Sequence, residues 1–349
     1  MRGMYTTTFL DALERSFMKK RNLPQGLDIG KAFQLIVGTS TGAIIGCGLA
    51  KGISPATIAK LYSEKGHLIF PKKLPTKMGL DFVLQVSKRP EYLRKGDEAL
   101  TKALKDVFEA TTVSQIWNDR GIALVIPAVN MLNFRSWAFK TAHDPESEGR
   151  DDNYTLVDVC RASSAAPLYR SLAAIEKPND KDCYDVFCDG GLWANNPVIV
   201  ALVEALKMVG DREEEIELYC LGSCGKPEGE LINKKDVHRG LFEWKLGGEA
   251  ASVSIAAQEF AFDMIAKFLV PHLKKKVRIV RFPAEKIPAA MLKYLDLDET
   301  SEKGLRALKQ QASNDASMIN SGIQAGTPDG LLIKDLFNDM PARGQAREI

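Results

Sequence analysis

Leu35-Ile-Val-Gly-Thr-Ser-Thr-Gly42 is a short apolar run that breaks into the pentapeptide G-x-S-x-G. The residues leading into it, Ala32 to Val37, suit a strand covered on most of its faces, as in a parallel sheet. Those that follow, Ala43-Ile-Ile-Gly-Cys-Gly-Leu-Ala50, are small and apolar and suit a buried helix packed closely on that sheet. A strand that turns this sharply into a helix holds the hydroxyl of Ser40 exposed at the carboxyl edge of the sheet, as in the nucleophile elbow of serine hydrolases. Gly38 and Gly42 flank the serine, where a side chain is expected to block so tight a turn. A bare pentapeptide of this kind arises often by chance, so its meaning depends on whether Ser40 has a base and oxyanion donors.

The 349 residues, 45% of them hydrophobic, suffice for one large α/β domain or two modest ones. A net charge of +2 implies no strongly charged partner. No basic stripe interleaved with aromatics appears, which argues against a nucleic acid polymer. The first residues lack the apolar core of a secretory signal, and no run approaches the ~18 apolar residues that mark a membrane span. A cytoplasmic protein is expected, with peripheral membrane contact as the one qualification. Six cysteines (47, 160, 183, 188, 220, 224) sit mostly in apolar or glycine-rich surroundings and read as small buried residues in a reducing compartment. No histidine stands at ligand spacing from the close pairs Cys183/Cys188 and Cys220/Cys224, so no metal site and no cofactor is predicted.

Along the chain, helices are predicted over Thr8 to Phe17, Ser54 to Tyr62, Lys95 to Phe108, Leu156 to Ala162 and Leu305 to Ile319. Asn196-Pro197 supplies a cap and a first-turn proline for Val198 to Val209, which is apolar almost all round and reads as well buried. Strands are expected at Gly121 to Val129 with Asn133 to Thr141, and at Tyr184 to Cys188, Glu217 to Leu221 and Val277 to Phe282. Strands alternating with helices predict an α/β fold with a mainly parallel sheet. The Pro/Lys-rich stretch Phe70 to Gly79 reads as a surface excursion, with Lys72-Lys73 a candidate lid or lipid contact. Phe262 to Lys276 combines apolar residues with a basic end. It suits either an anionic membrane surface or a core-packed helix whose lysines complement its dipole.

A base for Ser40 is not found among the four histidines. His67 and His238 lie among charged residues, His143 in a polar loop and His272 beside a lysine run. Asp189 is the better candidate. It ends the apolar run Tyr184-Asp-Val-Phe-Cys188 and precedes Gly190-Gly191, so it sits at a strand's carboxyl end, where open α/β sheets build their sites. A partly desolvated carboxylate within hydrogen-bond reach can act as base directly. The bland alternative is an ordinary Asp-Gly turn.

Three blocks occur in order: Gly38-Thr-Ser-Thr-Gly42, Arg161-Ala-Ser-Ser-Ala-Ala-Pro167 and Asp189-Gly-Gly-Leu-Trp-Ala-Asn-Asn-Pro197. Together they resemble the patatin-like phospholipase family, bacterial type, over roughly residues 2 to 320. The resemblance implies a three-layer α/β/α fold with residues 1–325 as the hydrolase domain and 326–349 as a C-terminal tail. It implies a Ser–Asp dyad hydrolysing lipid acyl esters through an acyl-enzyme, with Ser40 as nucleophile and Asp189 as base. The block around Arg161 would support the site wall. In the family a loop of the type D-G-G-G-x-R-G, following the first strand, supplies oxyanion donors. Here only Arg2 and Gly3 match its end; the glycines and their strand are missing. Either they lie upstream of Met1, which the retained Arg2-Gly3 favours, or the protein is catalytically weak. Thr41, next to the nucleophile, is the one evident remaining donor. Bacterial members also serve as nucleotide-activated phospholipases of antiphage defence, which allows a small nucleotide activator, although no residue pattern identifies its pocket. The rival classes are a non-catalytic scaffold and a different serine enzyme that uses one of the histidines.

Overall fold

The structure is a computed structural model. It describes residues 1–74, 80–178, 180–224, 229, 232–240, 244, 247–282 and 287–344, without the side chains of 80–86 and 181. The chain runs α1 (Gly3–Arg21), β1 (Leu35–Val37), α2 (Thr41–Lys51), α3 (Pro55–Ile69), α4 (Leu80–Phe108), α5 (Val113–Arg120), β2 (Ala123–Asn130), β3 (Arg135–Lys140) and α6 (Leu156–Ser163). It continues through β4 (Ala173–Lys177), β5 (Asp180–Asp189), α7 (Gly191–Ala194), α8 (Val198–Val209), β6 (Ile216–Leu221), α9 (Gly248–Leu269), β7 (Val277–Phe282), α10 (Glu302–Ala325) and α11 (Pro328–Asp339). Many starts are written locally. Thr112 and Thr155 each close a capping box onto α5 and α6, and Ser54 caps α3 ahead of Pro55.

The α/β class is as expected, but the sheet is mixed rather than mainly parallel. β1 pairs parallel with β2, whereas β3 and β5 pair antiparallel with β2, and β4 pairs antiparallel with β5. The short connections after β2 and β4 leave no room for a crossover, so those strands must return antiparallel. β6 and β7 form a separate parallel pair.

One consequence positions the site. β3 lies along β2 from Val125 to Asn130, so β1 and β5 share the opposite edge. β1 runs parallel along Ala123–Val125, and β5 runs antiparallel along Ala128–Asn130. Their carboxyl ends therefore meet head-on beside Ile126 and Pro127.

The main core joins the apolar face of α1 (Tyr5, Phe9, Leu13, Phe17) to the sheet and the surrounding helices. A smaller cluster joins α8 and α9 to β6 and β7. Two expectations change. α8 is buried along one side, at Val198, Leu202 and Glu204, while Val203 is exposed; its Ala201 and Ala205 are partly buried, packing on the small cluster and also lining a cavity. Residues 326–349 are not a free tail as far as Gly344. Thr327 caps α11, Phe337 stacks on Phe17 at 4.9 Å, and Arg21 donates to the carbonyls of Phe337 and Met340. In the stretch read as a surface excursion, Lys73 is clamped by Asp296 and Glu299 at 2.9 and 2.8 Å. Residues 75–79 of that stretch, and 345–349, lie outside the described residues. Among the described residues no helix is long and apolar enough to cross a membrane.

Candidate active site

Ser40 stands between β1 and α2 with φ 56° and ψ −119°, a backbone conformation that side-chain-bearing residues rarely adopt. Gly38 makes the turn possible, because a Cβ there would overlap the carbonyl of Gly42. Gly42 itself is not the obstacle the sequence suggested: a Cβ at that position meets nothing within 4 Å. The Ser40 amide donates to Ser163 Oγ at 2.9 Å, so the end of α6 holds the elbow from behind.

The head-on meeting of β1 and β5 brings the Ser40 hydroxyl to Asp189, and Ser40 Oγ donates to Asp189 Oδ2 at 2.6 Å. The other carboxylate oxygen accepts from the Gly191 amide at 2.7 Å, which fixes the rotation of the group. Gly190 must lack a side chain because its Cα faces the Pro127 carbonyl, and Gly191 has little space beside Asn195. Burial pushes the Asp189 carboxyl up to about 6; the hydrogen bonds from Ser40 and Gly191 and the nearby Arg170 guanidinium oppose this without cancelling it. The side chain is thus a carboxylate at neutral pH, yet with a proton affinity closer to that of imidazole than to that of an exposed aspartate.

Arg2 and Gly3 also reach the elbow. Arg2 lines the same cavity as Ser40 and Asp189. Gly3 lies so close to Thr41 and Tyr62 that a Cβ would overlap both. The first turn of α1 therefore abuts the start of α2. The Thr41 amide finds no acceptor among the described residues, nor does the buried hydroxyl of Thr39. Two donors thus stand on either side of Ser40.

None of the four histidines lines this cavity. His143 is taken up by Thr141 Oγ1 at 2.7 Å and by Glu204 at 3.4 Å, and the other three are exposed. Sequence reading missed Thr39, whose position beside the elbow could have suggested it. It also missed Arg170, which follows the Arg161–Pro167 block and turns into the cavity only because the loop reverses at Leu168.

The cavity holds about 960 Å³ and is lined by consecutive residues of two strands, Leu35 to Gly38 and Ile216 to Gly222. Successive side chains of a strand point to opposite faces. Lining by every residue in turn therefore means that strand edges, not faces, border the space. Among the described residues β1 pairs only with β2 and β6 only with β7, so both edges are open.

The sequence also has recognisable relatives. The sequence model of the patatin-like phospholipase family matches residues 1–202. A cGAMP-activated phospholipase of Escherichia coli (strain TW11681) is 28% identical over 325 residues, covering 91% of this chain and 86% of that protein. A protein of the same description from Vibrio cholerae is 30% identical over 281 residues, 78% and 75% of the two chains. Another from Pseudomonas aeruginosa is 31% identical over 265 residues, 75% and 70%. Among solved structures, VipD from Legionella pneumophila aligns over 90% of this chain and 64% of its own at 12% identity, with a TM-score of 0.36.

Proposed function

Since the chain belongs to the patatin-like phospholipase family, we propose that it hydrolyses acyl esters of phospholipids with Ser40 as nucleophile and Asp189 as base. The observation that carries this reading is the 2.6 Å bond from Ser40 Oγ to Asp189 Oδ2 at the wall of a cavity large enough for a lipid. Asp189 takes the hydroxyl proton as Ser40 Oγ attacks the ester carbonyl carbon. The oxyanion that develops is stabilised by the Thr41 amide and the Thr39 hydroxyl. As the tetrahedral intermediate collapses, Asp189 returns the proton to the leaving alcohol, a lysophospholipid. Water then attacks the acyl-enzyme with Asp189 again as base, releasing the fatty acid and restoring Ser40.

Lipid reaches this site from a membrane surface in this reading. α9 supports it: Phe260 and Phe268 are 74% and 70% exposed, and Met264 lies between them at four-residue spacing. That apolar stripe ends near Lys274 to Lys276, and Phe260 also lines the cavity.

A cyclic dinucleotide as activator is a second reading, supported by the names of three relatives and by the few oxyanion donors beside Ser40. One assay addresses both. A fluorophosphonate probe is expected to label the wild-type protein but not Ser40→Ala, and to label Asp189→Asn at least 100-fold more slowly. Labelling that begins only when cGAMP is added supports the activator. Labelling that persists in Ser40→Ala would sink the assignment of the nucleophile.

A further inference from the structure

Arg170 is 6% exposed, lines the cavity that holds Ser40 and Asp189, and stands outside the dyad. Its setting is built rather than incidental. Leu168 adopts a left-handed φ of 69°, a strained conformation for a residue with a side chain. Arg89 secures that strained turn by donating twice to the Leu168 carbonyl, at 3.0 and 2.7 Å. The reversal leaves Leu168 in solvent and carries Arg170 inward, where its amide donates to the Ala166 carbonyl at 2.8 Å.

Its nearest carboxylate is shared. Asp97 is shared between Arg161 at 3.0 Å and Arg170 at 3.1 Å, so one carboxylate faces two guanidiniums. Arg170 engages Asp97 through a terminal nitrogen, and its Nε has no acceptor among the described residues. Ionised Asp189 acts on Arg170 through space and offsets the surplus charge only while the dyad is idle. When Asp189 accepts the serine proton, that compensation is lost. Arg281 also lines the cavity and shares Asp263 with Lys267, but its side chain is 35% exposed against 5% for Arg170, so water can satisfy its charge.

A buried guanidinium in the cavity wall with a spare donor and a shared counter-ion is a site for an oxyanion, and its planar fork suits a phosphodiester. A glycerophospholipid carries one a few bonds from its ester carbonyls; a diacylglycerol does not. We infer that Arg170 binds the headgroup phosphate of the substrate inside the catalytic cavity, and so makes the site prefer phospholipids over neutral glycerides. This rests on the lipid-hydrolase reading but concerns binding, so it can be tested without turnover. A cyclic dinucleotide carries the same phosphodiester chemistry, and the test includes it.

The measurement is calorimetric titration at pH 8 of the Ser40→Ala protein with dihexanoylphosphatidylglycerol, dihexanoylglycerol and cGAMP, alone and combined with Arg170→Met or Arg170→Lys. Phospholipid should bind more tightly than the neutral lipid. Arg170→Met should lower that ratio about 10- to 100-fold, the usual effect of removing charge-assisted hydrogen bonds. Arg170→Lys, which keeps the charge without the fork and spares the ion pair with Asp97, should give an intermediate ratio even if the methionine variant folds poorly. An unchanged ratio in Arg170→Lys and Arg170→Met, or no preference for phospholipid in the parent, overturns the inference. Loss of cGAMP binding with an unaltered lipid ratio also overturns it, assigning the phosphodiester to a nucleotide. If Ser40 labels with fluorophosphonate while the ratio holds constant, this inference falls alone. If Ser40 does not label yet the lipid ratio depends on Arg170, the hydrolase reading falls instead.

Discussion

Burial of Asp189 has two consequences that can be measured separately. Its carboxyl titrates at about 6 in the folded protein, so the ionised base is lost as pH falls through that value. kcat/KM for a soluble neutral ester should therefore show an acid limb near pH 6, flat above about pH 7. A limb near pH 4 would mean that the carboxylate is solvated. The stability effect has the opposite sign. The native state holds this proton more tightly than the unfolded chain, whose aspartate titrates near 3.8, so stability declines as pH rises from about 4 to about 6. The rise from 3.8 to about 6 corresponds to roughly 3 kcal/mol at most. Asp189→Asn has no such cost, so the melting temperature of wild type relative to this variant should be lower at pH 8 than at pH 4. A difference that does not change with pH would exclude the buried, raised carboxyl. At this scale the sequence singled out Ser40 and Asp189, which lie 2.6 Å apart in the fold, and Gly38 and Gly190, where a side chain would overlap a backbone carbonyl. Gly42 was misjudged because local spacing does not reveal which of two glycines is crowded; it is the Gly42 carbonyl that excludes a side chain at position 38. Arg170 was illegible because nothing local announces a residue whose role depends on a loop reversal; Thr39 stands beside the elbow in sequence, but that its hydroxyl is buried and unpartnered shows only in the fold.

The element least resolved by sequence is α9. Its apolar residues are compatible with a core helix and with an interfacial one, because periodicity states which residues share a face but not what covers it. In the structure the stripe through Phe260, Met264 and Phe268 is exposed, while Ala266 is buried and Phe262 packs into the small cluster with β6 and β7. Inserting two large side chains into a bilayer gives a few kcal/mol at most, and each nearby lysine adds about 1 kcal/mol on an anionic surface. Met264→Ser with Phe268→Ser, both away from the cavity wall, should thus reduce co-sedimentation with phosphatidylglycerol vesicles about 10-fold or more. Fluorophosphonate labelling in free solution should stay as in wild type. Undiminished vesicle binding would remove α9 as the contact. Strand direction was similarly out of reach. Alternating strands and helices suggested parallel neighbours, but the short turns that make β3 and β5 antiparallel carry no strong signal of their own. The antiparallel course of β5 nevertheless leaves Asp189 at a carboxyl end, where it meets the end of β1 head-on.

Across the whole molecule, the elements that bear the dyad belong to one sheet and β6 with β7 to another, with the cavity between two open strand edges. An open edge exposes a row of unpaired amides and carbonyls, which proteins ordinarily pair or cover. The first turn of α1 sits at the carboxyl ends of both edges. Gly3 is packed against Thr41, which follows β1, and Thr6 Oγ1 donates at 3.1 Å to the carbonyl of Gly222, which follows β6. A strand laid in this space parallel to both neighbours would run directly into Arg2 and Gly3. It would fuse the two sheets into one and bring its last amides beside Ser40, next to the Thr41 amide and the Thr39 hydroxyl. A segment of alternating apolar residues ending in Asp-Gly-Gly-Gly, joined ahead of Met1, should therefore raise the rate of fluorophosphonate labelling. One oxyanion donor is commonly worth about 10² to 10³ in rate, and an increase of that order is expected. The same protein should unfold at higher temperature, since both edges gain partners. A control segment with the glycines replaced by valine should recover the stability but not the rate, because the amides could no longer approach the oxyanion. Equal labelling rates with and without the glycine-bearing strand would show that the donors beside Ser40 are already sufficient.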